Sequence, residues 1–238
     1  MFSQGQAAVV DPGFYEQEAL EIILQTLEST NSRLTSILLT HTHPDHQEGI
    51  RFLESVFPGI PVYVHELEQT RVKANRVMTL GEFFVIGDLE LEVLFTPGHS
   101  PGHVSFYFQD TAMVGDIVAG YGSTWIGWPD GNYKQYFASL EKLKALNCNI
   151  LAPAHGPMIQ HPIEKLEAVA KHRLQRLEQV YMALEQPMEL YQLAQAVYPD
   201  LAASFQNAIE GSLLALLETL LEENRVEKID ERYKQRIS

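Results

Sequence analysis

Residues 40–49 read "THTHPDHQEG", so that His41, His43, Asp45 and His46 fall within six positions just where an apolar run stops. Imidazole and carboxylate suit Zn2+, Mn2+ or Fe2+, and catalytic sites built from them keep a coordination position for water. An H-x-H pair puts two imidazoles on the same side of an extended segment. Asp45 and His46 open the helix that follows and can point elsewhere, so one short motif can serve two metals. Three more residues of the same chemistry stand in comparable places: His99 after "VLFTPG", Asp116 after "AMVG" and His155 after "ILAPA". A single histidine or aspartate behind a strand is more often a turn or capping residue than a ligand. Five histidines and two aspartates at four strand ends differ, because aligned strands bring them to one sheet edge. The expectation is a site for two metals.

The other histidines carry less. His65, His161 and His172 lack partners in the sequence and read as surface, turn or interface residues. His103, four residues after His99 in "GHSPGH", reads as a supporting or structural residue, and Cys148 as a packed thiol.

The elements that must position these residues follow from periodicity. "AAVVDPG" is a short apolar run stopped by Asp11, Pro12 and Gly13, a buried strand entering a turn. Leu20, Ile23, Leu24 and Leu27 recur at helical spacing over 16–27. "RLTSILLT" is a second buried strand ending at the histidine motif. After the motif, Ile50, Leu53, Val56 and Phe57 share a helical face, and "GIPVYVHE" brings another strand. This βαβαβ alternation implies a sheet with helices packed on it. Past residue 80, Leu89, Leu91, Val93 and Phe95 alternate with mostly acidic residues, the period-2 pattern of a half-buried strand. "HVSFYFQDTAMVGD" reads as a hairpin and "NILAPAHG" as a further apolar strand. From residue 161 the pattern is helical, with helices near 190–198 and 207–223 ahead of "NRVEKIDERYKQRI". Helices followed by a short two-stranded tail make a winged-helix-like unit. The expected domains are therefore 1–161, catalytic, and 162–238, C-terminal.

Composition sets the outer limits. A chain of 238 residues with 45% hydrophobic residues can bury a full core. The net charge of −14 is spread along the chain, which argues against a broad nucleic-acid surface. One cysteine excludes an internal disulfide framework and fits a reducing compartment. No apolar stretch reaches the ~18 residues of a spanning helix. The expectation is a cytoplasmic protein without a membrane partner.

On "VVDPG", "THTHPDH", "TPGHSPGH", the "GD" of residues 115–116 and "PAHG", the chain resembles the metallo-beta-lactamase fold superfamily over nearly its whole length. The resemblance implies an α/β fold, the αββα sandwich. It also implies that His41, His43 and His99 hold a first metal, that Asp45, His46 and His155 hold a second, and that Asp116 bridges them. The ions would be two Zn2+, with Mn2+ or Fe2+ as alternatives, holding a hydroxide between them. Asp45 would both ligate the second metal and orient the hydroxide, which makes it the catalytic residue. The stretch from "GYGSTWIGWPDG" through the C-terminal helices and tail is similar to the beta-lactamase-like-protein-2 group. In the superfamily a strand pair normally precedes "VVDPG", whereas this chain starts about there, so a sandwich lacking its first strands is one expectation. "QEG" replaces a commoner double glycine and "PAHG" a commoner "PGHG"; neither removes a ligand. Asp116 stands where many true beta-lactamases carry cysteine, which argues against antibiotic hydrolysis.

Three functions compete. The first is hydrolysis of an ester, thioester or lactone bond of a small-molecule substrate. Within it, a glyoxalase II assignment is weakened by the lack of a basic cluster after Asp116 for a glutathione carboxylate. No leaving-group acid stands out; a water or Tyr121 would have to serve. The second is an endoribonuclease acting on single-stranded RNA. Against it, residues 161–238 hold nine Lys/Arg and thirteen Asp/Glu, where phosphate binding calls for a positive surface. The third is a binding or docking module with structural metals, whose tail mediates homodimer contact.

Overall fold

Residues 1–81, 83–200 and 203–236 are described by a computed structural model. The first sheet runs β1 (Phe2–Ser3), β2 (Gln6–Val10), β3 (Arg33–Leu38), β4 (Val62–Val64) and β5 (Arg76–Val77) in spatial order. All its pairs are parallel except β1–β2. Parallel neighbours need crossovers, and α1 (Gln17–Ser29), α2 (Pro44–Gln47) and α3 (Ile50–Val56) lie in them. Leu20 of α1 and Ile50 and Leu53 of α3 pack on Leu34, Ile37 and Val62 of this sheet. Val56, expected on the same buried face, is 43% exposed, because the short helix ends there.

The second sheet is ordered β10 (Ile150–Pro153), β9 (Thr111–Gly115), β8 (Val104–Phe108), β7 (Leu89–Phe95) and β6 (Phe83–Ile86), antiparallel but for β9–β10. The two sheets face each other through Ala8, Leu38 and Met78 on one side and Leu91, Val93 and Phe106 on the other. On the outer face of the second sheet, Ala112, Val114 and Leu151 meet Tyr136, Leu140 and Leu143 of α4 (Tyr133–Ala145). Helix, sheet, sheet and helix layers thus form the expected αββα sandwich. Where a missing N-terminal strand pair is one expectation, β1 pairs antiparallel with β2 and forms the edge of the first sheet.

The rest of the chain comprises α5 (Pro162–Ala183), β11 (Met188–Glu189), α6 (Leu190–Val197), α7 (Gln206–Glu222), β12 (Val226–Ile229) and β13 (Arg232–Gln235). Its sheet has three strands, β11-β13-β12, rather than two. The added strand is two residues long, too short to show a period in the sequence. One hydrophobic cluster runs without a break from Leu140 and Leu151 through Leu166 and Leu177 to Leu216 and Val226, so packing is continuous across residue 162. Among the described residues no helix is long and apolar enough to cross a membrane.

Candidate metal centre

The structure brings all seven sequence-predicted residues together at the C-terminal ends of β3 and β9 and in the turns after β7 and β10. They form two adjoining groups, His41, His43 and His99 in one and Asp45, His46, Asp116 and His155 in the other. Within each group the offered ligand atoms lie within 4.8 Å of one another. The motif divides as its spacing predicts: His41 and His43 precede the helix, His43 in extended backbone, and Pro44 starts α2, which carries Asp45 and His46 into the second group. Asp116 stands between the groups. Its Oδ1 is 3.5 Å from Nε2 of both His46 and His155, and its Oδ2 is 3.7 Å from His99 Nε2. Asp45 Oδ2 lies 3.1 Å from His155 Nε2.

Outer partners fix which nitrogen of each ring carries hydrogen. Thr40 Oγ1 donates to Asp11 Oδ2 at 2.6 Å, so at its 3.0 Å contact with His41 the ring Nδ1–H is the donor. His99 Nδ1–H donates to the Trp125 carbonyl at 2.7 Å, and His43 Nε2–H to Asp130 Oδ2 at 3.3 Å. The three nitrogens left facing inward therefore present bare lone pairs, with His99 Nε2 only 3.0 Å from His41 Nε2 and 2.8 Å from His43 Nδ1. Lone pairs so close repel unless a cation sits among them. In the second group His46 Nδ1–H donates to Asp11 Oδ2 at 2.9 Å. That leaves His46 Nε2 buried without a hydrogen-bond partner, and Asp116 Oδ1 is in the same condition. Buried polar atoms without partners are costly, and these two face each other across 3.5 Å. The donor set of both groups fits divalent ions.

The electrostatics agree. Burial, helped by the neighbouring rings, pushes His41 well below the ordinary histidine value, and burial with the adjacent His43 ring lowers His99 to about 4. These rings are neutral and available as ligands. Burial would also lower His46, but the hydrogen bond to Asp11 and the nearby Asp11 and Asp116 carboxylates outweigh it and raise that ring to about 10. Burial would raise Asp116, yet His46, His99 and His155 hold it at about 2. The second group thus draws positive charge into a buried position.

Several supporting residues carry no clear signal in the sequence. Asp11, readable there as a strand-stopping turn residue, accepts from Thr40 N–H, Thr40 Oγ1 and His46 Nδ1 and so braces both groups. Its φ of +47° is a backbone region uncommon for residues other than glycine, though aspartate tolerates it. Asp130 receives His43 and both guanidinium nitrogens of Arg71 at 2.7 Å; the His43 hydrogen bond first, with those of Arg71, keeps its carboxyl well below the usual carboxylate range. Glu68 is fully buried and accepts from Thr42 Oγ1 and Gly102 N–H, tying the histidine loop to the His99 loop. His65, read as a surface, turn or interface residue, is a turn residue but a buried one: its Nδ1 accepts the Leu67 N–H at 3.3 Å and its ring stacks on Phe95 at 4.8 Å. His161 and His172 are exposed, as expected, and Cys148 is buried.

His103 is a positioning residue. It is fully buried, its Nε2 accepts the Asp116 N–H at 3.2 Å and its Nδ1–H donates to Thr96 Oγ1 at 3.0 Å. Gly115 makes this approach possible: its φ is +48°, and a β-carbon there would stand 2.6 Å from both His103 Nε2 and Thr40 Oγ1. His103→Ala leaves the Asp116 N–H buried and unpaired, a cost of about 1–3 kcal/mol. The expected result is a clear fall in melting temperature with much less metal lost than in His99→Ala. Elemental analysis beside thermal unfolding checks this, and equal metal loss in the two variants would make His103 a ligand.

A cavity of about 320 Å3 opens beside the second group, lined by Asp45, His46 and His155 together with Val10, Met113 and Pro153. A larger groove of about 880 Å3 runs along α5 and reaches Lys144 of α4, and none of the seven residues lines it.

The sequence profile of the metallo-beta-lactamase superfamily matches residues 2–155, and the chain belongs to that superfamily. Its relatives include the beta-lactamase-like protein 2 homolog of Caenorhabditis elegans, 27% identical over 218 residues, 88% of this chain and 72% of that protein. The atrochrysone carboxyl ACP thioesterase of Aspergillus fumigatus is 30% identical over 159 residues, 64% of this chain. The chain spans 48% of that thioesterase's length. Among solved structures, a metallo-beta-lactamase family protein from Thermus thermophilus superposes with a TM-score of 0.84 at 25% identity, covering 99% of this chain and 92% of that one.

Proposed function

We propose that the chain is a metal-dependent hydrolase that cleaves an ester, thioester or lactone bond of a small substrate at a two-metal centre. His41, His43 and His99 hold one ion, Asp45, His46 and His155 the other, and Asp116 joins them. The observation that carries this reading is the Asp116 carboxylate, with one oxygen toward each group. When bound, such a pair lowers the pKa of water toward neutrality and polarises the bond under attack. Zn2+ suits the imidazole-rich donor set, with Mn2+ and Fe2+ as the alternatives.

The chain's own residues supply the rest. Asp45, half-buried on α2, turns Oδ2 toward the second group and accepts a proton from the attacking water. Thr40, Asp11, Asp130 and the Trp125 carbonyl hold His41, His46, His43 and His99 in turn with their lone pairs inward. The cavity beside Asp45 and His155, at about 320 Å3, lies at the lower end of small-molecule pockets and has apolar walls suited to an acyl group. The thioesterase named among the relatives supports the acyl-transfer class. A second reading, cleavage of single-stranded RNA, draws on the exposed Tyr121 and Trp128, whose rings can stack on bases without charge. Residues 162–238, with α6, α7 and the β11-β13-β12 sheet, serve in either reading as a winged-helix-like unit beside the 1–161 catalytic domain.

The purified protein is expected to bind two transition-metal ions per chain by elemental analysis after reconstitution. A value well below one would remove the two-metal reading. Turnover of the loaded protein on thioester, lactone and bis-aryl phosphodiester substrates then separates acyl from phosphoryl chemistry.

A further inference from the structure

The helices after residue 161 contribute none of the seven residues of the centre, yet they grip the loop that orients one of them. His99 donates its Nδ1–H to the carbonyl of Trp125 at 2.7 Å. That peptide is held from α7: the Trp125 indole N–H donates to the Ala208 carbonyl at 3.0 Å, and the Trp128 N–H donates to the Gly211 carbonyl at 2.9 Å. It is held from α5 as well, where Arg173, 7% exposed, donates to the Thr124 carbonyl next to it.

Gly211 shows how close this grip is. It lies inside α7, where glycine is the least favourable residue apart from proline, and its backbone is not in the left-handed region that would call for one. A β-carbon there would stand 3.0 Å from Trp125 Cζ2 and 3.3 Å from the Trp128 carbonyl oxygen. The missing side chain is space for the indole and the loop behind it.

We infer that α7 positions the first metal group through Trp125: Gly211 and Ala208 seat the indole, the seated indole places the Trp125 carbonyl, and that carbonyl fixes the His99 ring with Nε2 inward. Trp125, Gly211 and Arg173 are positioning residues, and the C-terminal helices set the affinity of a site they do not touch. The inference rests on the proposed reading of His99 as a ligand. Its geometric half, control of the His99 ring, does not need a metal.

Two readouts test it in the full-length chain. One is the 15N signature of the His99 ring in metal-free protein. The other is Co2+ affinity against a competing chelator, measured in a His155→Ala background so that only the first group binds. Gly211→Leu is expected to turn a single Nδ1–H signature into a mixture and to weaken Co2+ binding by about 10–100-fold, the usual consequence of losing an outer partner of a metal ligand. Trp125→Phe, which keeps a ring but drops the hydrogen bond to Ala208, moves both readouts the same way by less, and it decides the matter where Gly211→Leu does not fold. Leu220→Ala, at a buried position further along α7, removes packing alone and leaves both readouts unchanged.

A folded Gly211→Leu chain with unchanged ring signature and unchanged affinity overturns the inference, as does an equal loss in Leu220→Ala. A parent chain that takes up no Co2+ defeats the metal reading instead. The ring signature then decides the inference by itself, for it if Gly211→Leu shifts the signal and against it if the signal stays.

Discussion

Asp45→Ala is expected to lower turnover by about 10²–10⁴-fold, the range for a lost general base, while changing folding stability by no more than ~1 kcal/mol. Two features separate the effects. Asp45 is half-buried, and its nearest side-chain partner, His155 at 3.1 Å, is itself half exposed, so neither is part of an apolar core. Its favourable place in the first turn of α2 is worth about 0.3–1 kcal/mol. On the functional side, among the described residues no other carboxylate combines a position on the cavity wall with an oxygen turned toward the metal site: Asp11 also lines the cavity, but its oxygens are taken up by Thr40 and His46. Asp45→Asn keeps the shape and loses the charge, so it should lose nearly as much turnover as alanine if proton acceptance is the role. Rates, metal content and unfolding midpoints are to be measured together. Near-normal turnover in a metal-loaded Asp45→Ala protein would move proton acceptance to another group, and lost turnover with lost metal would make Asp45 chiefly a ligand.

The candidate ligands were legible because each follows a strand whose own pattern is plain. "RLTSILL", "LELEVLF", "TAMVG" and "ILAP" are short apolar or alternating runs, and each is followed within a few residues by part of the centre. Strand ends at one edge of a sandwich converge whatever the loops between them do. The supporting residues were hidden for a different reason. Asp130 meets His43 across 87 residues and Arg71 across 59, and nothing local marks an aspartate in "WPDGN" as other than a turn residue. The acceptor for His99 is a backbone carbonyl, which every residue carries, so no side-chain pattern could point to it. Of the roles open to His65 the turn one holds, and its burial was hidden because the Phe95 ring that covers it lies 30 residues away. Arg173 carries no mark of its burial either: the Thr124 carbonyl and the Tyr136 ring that meet it are both distant in sequence.

The second large effect concerns pH, and it should separate the two metal groups. In the metal-free protein His46 is raised to about 10 from an ordinary 6.5, because Asp11 and Asp116 overcome the opposing burial. A raised folded value stabilises fully below 6.5 and loses that contribution as pH climbs through about 10. Asp116 is lowered to about 2 from 3.8, so its contribution is present above 3.8 and disappears as pH falls through about 2. The pair therefore favours the metal-free fold most between about pH 4 and 6.5. A metal at the second group must displace the His46 proton, since only the neutral ring offers Nε2 as a ligand. Its affinity should then rise tenfold per pH unit, about 10³-fold between pH 6 and 9, with one proton released per ion. In the first group His41 and His99 are already neutral throughout that range, so neither ring releases a proton and the affinity there should rise far less steeply. The comparison uses His99→Ala to isolate the second group, which also keeps a neighbouring ion from pushing the His46 proton off, and His155→Ala to isolate the first. Calorimetric titrations in buffers of different ionisation enthalpy count the protons directly. Equal slopes for the two variants would mean that the Asp11–His46–Asp116 cluster does not hold a proton against the metal, and the second group would have to be read as preformed and neutral.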